Sequence, residues 1–251
     1  MFIFGTNTKM QHTPQISQQF LQEVIEKARD HLNHVQLFYI PPYTSLTGVS
    51  EFCQRHNIWL GAQNTHWELE GAFTGEVAAP ILKASGASFV MLGHVERRQM
   101  FAETDEMINK KVLAASSTGL RVMLCVGESA FEKRAGAGNT AVKRQLELAL
   151  SGYKHPEQLL ILYEPVWSIG SGGEAASPDY VARAMDNIRA TLKEKFAREG
   201  EGVPILYGGS VNADNCAPYA LLSQCAGLGV GRTGWEAESF VKVLRTALAA
   251  R

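Results

Sequence analysis

The chain has 251 residues, 45% of them hydrophobic and 20% charged, a composition ordinary for a folded protein that buries a sizeable core. Its formal net charge of -1 supplies no field for nucleic acid or an acidic membrane surface, so neither is expected as a partner. The four cysteines (Cys53, Cys125, Cys216 and Cys225) show no C-x-x-C spacing and no apolar run is long enough to span a bilayer, which together lead us to expect a cytoplasmic protein.

Short apolar runs recur along the chain, each ending in small or polar residues. In order they are FIFGT from Phe2, VQLFYIPP from Val35, IWLGAQN from Ile58, SFVMLGH from Ser88, LRVMLCVGE from Leu120, LLILYEP from Leu159, PILYGGS from Pro204 and GLGVGR from Gly227. Between most of them lie segments with helical spacing. After the first run, Ile16, Phe20, Leu21, Val24, Ile25 and Ala28 form one predicted stripe. After the sixth, Ser177 is placed as an N-cap with Pro178 at the first helical position and Asp179 in the first turn. A last amphipathic segment begins near Glu236.

Strands that are apolar throughout, alternating with amphipathic helices, imply a parallel sheet covered by helices. Eight such units in a chain of this length predict an α/β protein, a single-domain (β/α)8 barrel over residues 1–251. An open doubly wound sheet is the rival, because the alternation alone does not prove closure. No linker or composition shift divides the chain.

In a barrel of this kind the site lies at the C-terminal ends of the strands. The residues there are Asn7 and Lys9 after the first run, Gln63 and Asn64 after the third, and His94 and Glu96 after the fourth. Glu164 follows the sixth, Gly208, Gly209 and Ser210 the seventh, and Gly231, Arg232 and Thr233 the eighth. Taken singly, each has an ordinary reading: a solvated lysine, a capping histidine, a carboxylate paired with an arginine, glycines in tight turns. Their placement at one end of one barrel favours a site. Glycine turns let backbone N–H groups approach a phosphate, and a carboxylate can take a proton from a carbon beside a carbonyl. A lysine and a histidine would then stabilise the oxyanion that forms. Together they describe isomerisation of a small phosphorylated aldose or ketose. Gly170, Gly172 and Ala175 also fit G-x-G-x-x-A, but PVWSI separates them from the strand, so the segment reads as a lid rather than a dinucleotide turn.

The segments YEPVWSIG, LGHVERR and YGGSV, with Asn7 to Lys9, GAFTGE from Gly71 and CVGE from Cys125, resemble the triosephosphate isomerase family, in order and along the whole chain. The resemblance implies that Glu164 is the catalytic base, His94 the electrophile at the start of a short helix, Lys9 a source of positive charge and Asn7 an orienting residue. It implies that Glu96 holds Lys9, and that a lid from Pro165 to about Ala175 closes over the substrate. Phosphate contacts are expected from Gly170, Gly209, Ser210 and Gly231. The resemblance further implies a homodimer in which Thr74 reaches the neighbouring site, and a reaction needing neither metal nor organic cofactor.

The chain departs from the family pattern at Thr8, Val95, Gly173, Glu174, Gly229 and Arg232, positions expected inside the pocket. Gly229 stands where the family has a leucine, and its missing side chain is expected to leave room for a longer sugar. Arg232 could pair with the phosphate, bind an added hydroxyl, or point outward. The leading expectation is interconversion of dihydroxyacetone phosphate and glyceraldehyde 3-phosphate. A four-carbon ketose phosphate such as an erythrulose phosphate is the alternative. A non-catalytic sugar-phosphate-binding barrel ranks third, because Glu164, His94 and Lys9 are all present.

Overall fold

The computed structural model describes residues 1–169 and 173–251. Its strands are β1 (Phe2–Asn7), β2 (Val35–Ile40), β3 (Trp59–Ala62), β4 (Phe89–Leu92), β5 (Arg121–Val126), β6 (Leu159–Tyr163), β7 (Ile205–Tyr207) and β8 (Cys225–Val230). All pair in parallel in chain order, and β8 returns to β1 with Ile3 opposite Gly227, so the sheet closes into a barrel. Closure rules out the open-sheet alternative.

Among the described residues the helices are α1 (Pro14–Lys27), α2 (Leu46–Arg55), α3 (Ala79–Ala84), α4 (Val95–Met100), α5 (Asp105–Ser117), α6 (Ala130–Arg134), α7 (Gly138–Ala149), α8 (Pro178–Phe196), α9 (Cys216–Ala220) and α10 (Ala237–Ala249). Their starts follow from local chemistry. Thr13 accepts from the Ile16 N–H ahead of Pro14, Thr104 caps α5, and Ser129 with Glu132 forms a reciprocal capping box at α6. At α8 the cap is Ser177, whose side chain accepts from the Tyr180 N–H, with Pro178 opening the helix as the sequence predicts. None of the described helices is long and apolar enough to cross a membrane.

The strands are buried on both faces because each face meets a different core. Ile3, Phe38, Ile40, Phe89, Met91, Met123, Cys125, Leu160, Leu162 and Leu206 fill the barrel interior. The alternate residues, such as Phe4, Tyr39, Val90, Leu124, Ile161 and Tyr163, pack outward against the helices. Inside, bare backbone faces bulk: a Cβ on Gly5 would collide with the Phe38 ring, and one on Gly61 with the Phe89 ring. Filling a tapering interior without voids requires such large–small alternation.

The predicted stripe of α1 is corrected at one position. Ile16 is exposed, and the buried turn begins instead at Ser17, whose Oγ accepts a 2.9 Å hydrogen bond from the Tyr39 hydroxyl. Ser17, Phe20, Leu21 and Val24 lie on the face toward the barrel, and a satisfied hydroxyl occupies the place where an apolar residue was expected. Ala28 is buried but caps the helix rather than extending it.

Candidate active site

The C-terminal ends of the strands open into a pocket of about 300 Å³. Asn7, Lys9, His94, Glu96 and Glu164 line it together with Gly208, Gly209, Ser210, Gly231, Arg232 and Thr233. The residues expected from separate strands therefore share one cavity. Gly170 lies outside the described residues, as do Ser171 and Gly172 of the expected lid and of the G-x-G-x-x-A match.

Glu164 follows β6 with its backbone N–H donated to the Val126 carbonyl at 2.8 Å. Strand alternation carries Leu160, Leu162 and Glu164 along the inward face. The carboxylate is buried, one oxygen lies 3.6 Å from His94 Nε2, and the other has no hydrogen-bond partner among the described residues. It keeps an unshared lone pair where a proton could be received. Behind it, burial first and the neighbouring Glu164 carboxylate second push the Cys125 thiol well above the usual cysteine range. Cys125 therefore stays protonated beside Glu164.

His94 sits at the N-cap of α4, positioned by Gly93. The backbone there has φ +76°, a left-handed turn that glycine adopts without strain. Arg98 holds the turn by donating from Nε to the Gly93 carbonyl at 2.7 Å. His94 Nδ1 accepts the Glu96 backbone N–H at 3.2 Å. A ring nitrogen that accepts carries no proton, so the hydrogen is assigned to Nε2, the atom facing Glu164. Glu96 Oε2 also lies 3.5 Å from Nδ1, but the amide can only donate, and that decides the tautomer.

Lys9 is one of four non-glycine residues with positive φ among those described, at 49°. Such a conformation needs support from its surroundings. Asn7 Oδ1 accepts the Lys9 N–H at 2.8 Å, and Gln63 Nε2 donates to the Lys9 carbonyl at 2.8 Å. The ammonium is fixed by Glu96 Oε1 at 2.6 Å. Both side chains are partly exposed, so this pair orients the lysine more than it stabilises the fold.

Gln63 and Asn64 were expected at the mouth, yet neither lines the pocket. Gln63 braces Lys9 from behind. Asn64 turns away, its Oδ1 accepting from the buried Lys111 ammonium at 2.9 Å, and Lys111 also pairs with buried Glu103. Tertiary partners reclaim both amides.

The pocket departures are corrected in the same way. Thr8 is fully buried and outside the pocket, because it follows inward-facing Asn7 and so points into the wall. Val95 is buried at the start of α4 and does not line the cavity either. Gly173 is half-buried and Glu174 exposed, and neither is a lining residue. Only Gly229 and Arg232 reach the cavity. A Cβ on Gly229 would meet Leu162 Cδ1 at 3.0 Å, so a neighbouring side chain takes up space that was expected to be open. Arg232 is exposed at the rim, without an ion-pair partner among the described residues.

Several lining residues escaped sequence reasoning. Trp235 lines the pocket and donates from its indole N–H to the Asn7 carbonyl at 3.0 Å, tying the last strand's loop to the first. Its signal was an aromatic residue in the turn after the final apolar run. Ser168 and Ile169, which fall within the expected lid, line the pocket just beyond Pro165 and Trp167. That segment is moored by Glu128, a buried carboxylate that accepts from Trp167 Nε1 at 2.6 Å, the Tyr180 hydroxyl at 2.8 Å and the Tyr163 hydroxyl at 3.0 Å. Burial, then the charge of Glu128, pushes the Tyr163 hydroxyl upward, which keeps it a donor.

The arrangement can move a proton at a carbon held beside Glu164 while His94 Nε2–H and the Lys9 ammonium face the adjoining oxygen. Comparison with known proteins gives the family. The family model described as triosephosphate isomerase matches residues 2–247. A triosephosphate isomerase from Caldanaerobacter subterraneus subsp. tengcongensis is 40% identical over 245 residues, covering 96% of this chain and 98% of its own. One from Aquifex aeolicus is 36% identical over 243 residues, with the same coverage. The crystal structure of triosephosphate isomerase from Bartonella henselae superposes with a TM-score of 0.86 at 31% identity, covering 98% of both chains. With barrel, pocket and whole-length similarity in agreement, the chain belongs to the triosephosphate isomerase family of aldose–ketose isomerases.

Proposed function

We propose that this enzyme interconverts dihydroxyacetone phosphate and glyceraldehyde 3-phosphate through an enediolate. The observation that carries the reading is the convergence of Glu164, His94 and Lys9 on one pocket that Gly209, Ser210 and Gly231 also line. Glu164 takes a proton from the carbon beside the carbonyl, and the oxyanion that forms faces Lys9 and receives the His94 Nε2 proton. His94 regains a proton from the neighbouring hydroxyl as that oxygen becomes the new carbonyl, and the proton on Glu164 is delivered to the neighbouring carbon. Asn7 orients the substrate and Glu96 holds Lys9. Backbone N–H groups at Gly209, Ser210 and Gly231 receive the phosphate, with Arg232 adding charge at the rim. Gly170 is a further phosphate contact by resemblance. No step calls for a metal or an organic cofactor.

A four-carbon ketose phosphate is the second reading, and Arg232 favours it. An unpaired guanidinium at the mouth can bind a hydroxyl or phosphate that a longer substrate presents there. Turnover on dihydroxyacetone phosphate and on erythrulose phosphates, without added metal or nucleotide, tests both. The expected result is isomerisation of at least one, and inertness toward both would end the isomerase reading.

The protein acts as a homodimer in the cytoplasm. The cytoplasmic reading is supported by four cysteines that are all buried and free. Dimerisation is supported by exposed apolar side chains in the segments that follow β1, β3 and β4: Met10, Leu69, Phe73, Met100 and Phe101. Thr74 is exposed in this group and touches no part of its own pocket, which suits a reach into a partner's site. Sedimentation is expected to give a dimer, and Thr74→Arg to yield monomers of much reduced turnover; a fully active monomer would contradict the assignment.

A further inference from the structure

Leu162 stands two residues before Glu164 on β6, so both side chains face the barrel interior. It is 5% exposed and lines the pocket floor. On β8, a Cβ at Gly229 would lie 3.0 Å from Leu162 Cδ1, 3.7 Å from Cδ2 and 3.7 Å from Phe38 Cζ. Just beyond β7, a Cβ at Gly208 would lie 2.8 Å from Leu162 Cδ1, 2.9 Å from its Cγ and 3.1 Å from Glu164 Cγ. One isobutyl group thus lies across two stretches of bare backbone, with the stem of Glu164 alongside.

We propose that Leu162 sets the chain length of the substrate, acting as the floor between the phosphate-binding turns and the proton-transfer groups, and that Gly208 and Gly229 lack side chains because Leu162 occupies their place. This rests on the isomerase reading above. A sugar phosphate is held at both ends, by the glycine turns and by Glu164, His94 and Lys9. A fourth carbon between fixed ends must bow out of line, and a bow toward the floor meets Leu162. The pair also explains why a glycine at 229 does not by itself enlarge the cavity: bulk has moved from one strand to its neighbour's neighbour. Volume, rather than the identity of either residue, is the selected quantity.

The test is a double-mutant cycle read by kcat/KM on dihydroxyacetone phosphate and on erythrulose phosphates. Leu162→Ala removes three carbons from the floor. The four-carbon to three-carbon ratio is expected to rise by about 10-fold or more, in line with the roughly 10–200-fold that one methylene is worth in a closed pocket. Gly229→Leu alone is expected to lower kcat/KM on both sugars by about 10-fold or more, because the new side chain and Leu162 claim the same space. Leu162→Ala with Gly229→Leu refills the floor, and is expected to recover most of the triose activity and the parent ratio, a coupling of the kind that contacting residues show. Leu162→Val, which removes less, serves should the alanine variant fold poorly, and a smaller rise in the same direction is expected. An unchanged ratio in both Leu162 variants overturns the proposal, as does a fully active Gly229→Leu. A parent enzyme inert toward both sugars removes the isomerase reading itself and this inference with it, an outcome distinct from an active parent whose ratio does not move.

Discussion

Glu164→Gln is expected to lower kcat by about 10²–10⁴-fold, the range in which a positioned general base contributes, and to leave KM little changed. The amide has the shape of the carboxylate but cannot accept the transferred proton. Because Glu164 is buried with one oxygen 3.6 Å from His94 Nε2, the substitution also replaces an ionic acceptor by a neutral group within reach of the imidazole. Both changes act on the transition state more than on the bound sugar, so the loss falls on kcat. Steady-state kinetics with a matched thermal melt separates this outcome from simple misfolding. Turnover equal to the parent on every phosphorylated sugar tested would falsify the role given to the carboxylate.

Lys111→Met destabilises the protein by about 3–5 kcal/mol, the cost of removing one partner from a buried ion pair. For a chain of this size that corresponds to a fall of roughly 10 °C in Tm. Lys111 is 3% exposed and Glu103 5% exposed, so neither reaches water to compensate. Burial lowers the Lys111 ammonium's pKa from the usual lysine value, and the Glu103 hydrogen bond only partly restores it. Methionine keeps the stem and deletes the charge, which leaves Glu103 with Arg97 alone and Asn64 without its donor. Asn64 opens the loop that carries Thr74, so the proposed self-association should weaken along with stability. Adding Glu103→Leu to Lys111→Met recovers much of the loss, since an apolar pair tolerates the interior and Arg97 is exposed enough to turn to solvent. Differential scanning calorimetry of the three variants checks the series; a single variant melting within about 2 °C of the parent, when the mechanism calls for several kcal/mol, would discard it.

What could be read from the sequence follows from what local chemistry controls. The eight apolar runs translated into strands because a barrel wall is apolar on both sides, and their ends fell at Pro41, Gly93 and Gly208, where the chain turns. Ser177 and Pro178 marked the start of α8 by chemistry confined to one turn. Motif order along the chain brought Glu164, His94 and Lys9 to one cavity. The failures involve long-range partners. Ser17 takes the buried place expected for Ile16 because Tyr39, on a different element, supplies the hydrogen bond. Asn64 leaves the mouth because Lys111 claims it. Leu162 reads as one more core aliphatic until the bare backbone at Gly208 and Gly229 is seen beneath it. A deletion on one strand has meaning only beside the bulk on another.

Closure of the ring, with Ile3 opposite Gly227, has a consequence for how the polypeptide is made. β1 acquires its second neighbour only when β8 has been made, so until then it presents an unsatisfied row of amides and carbonyls. Such a row invites adhesion to other nascent chains. The interval of greatest danger therefore lasts until β8 pairs, and loss of β8 should turn an otherwise well-formed stack of strands and helices into a chaperone client rather than a weaker enzyme.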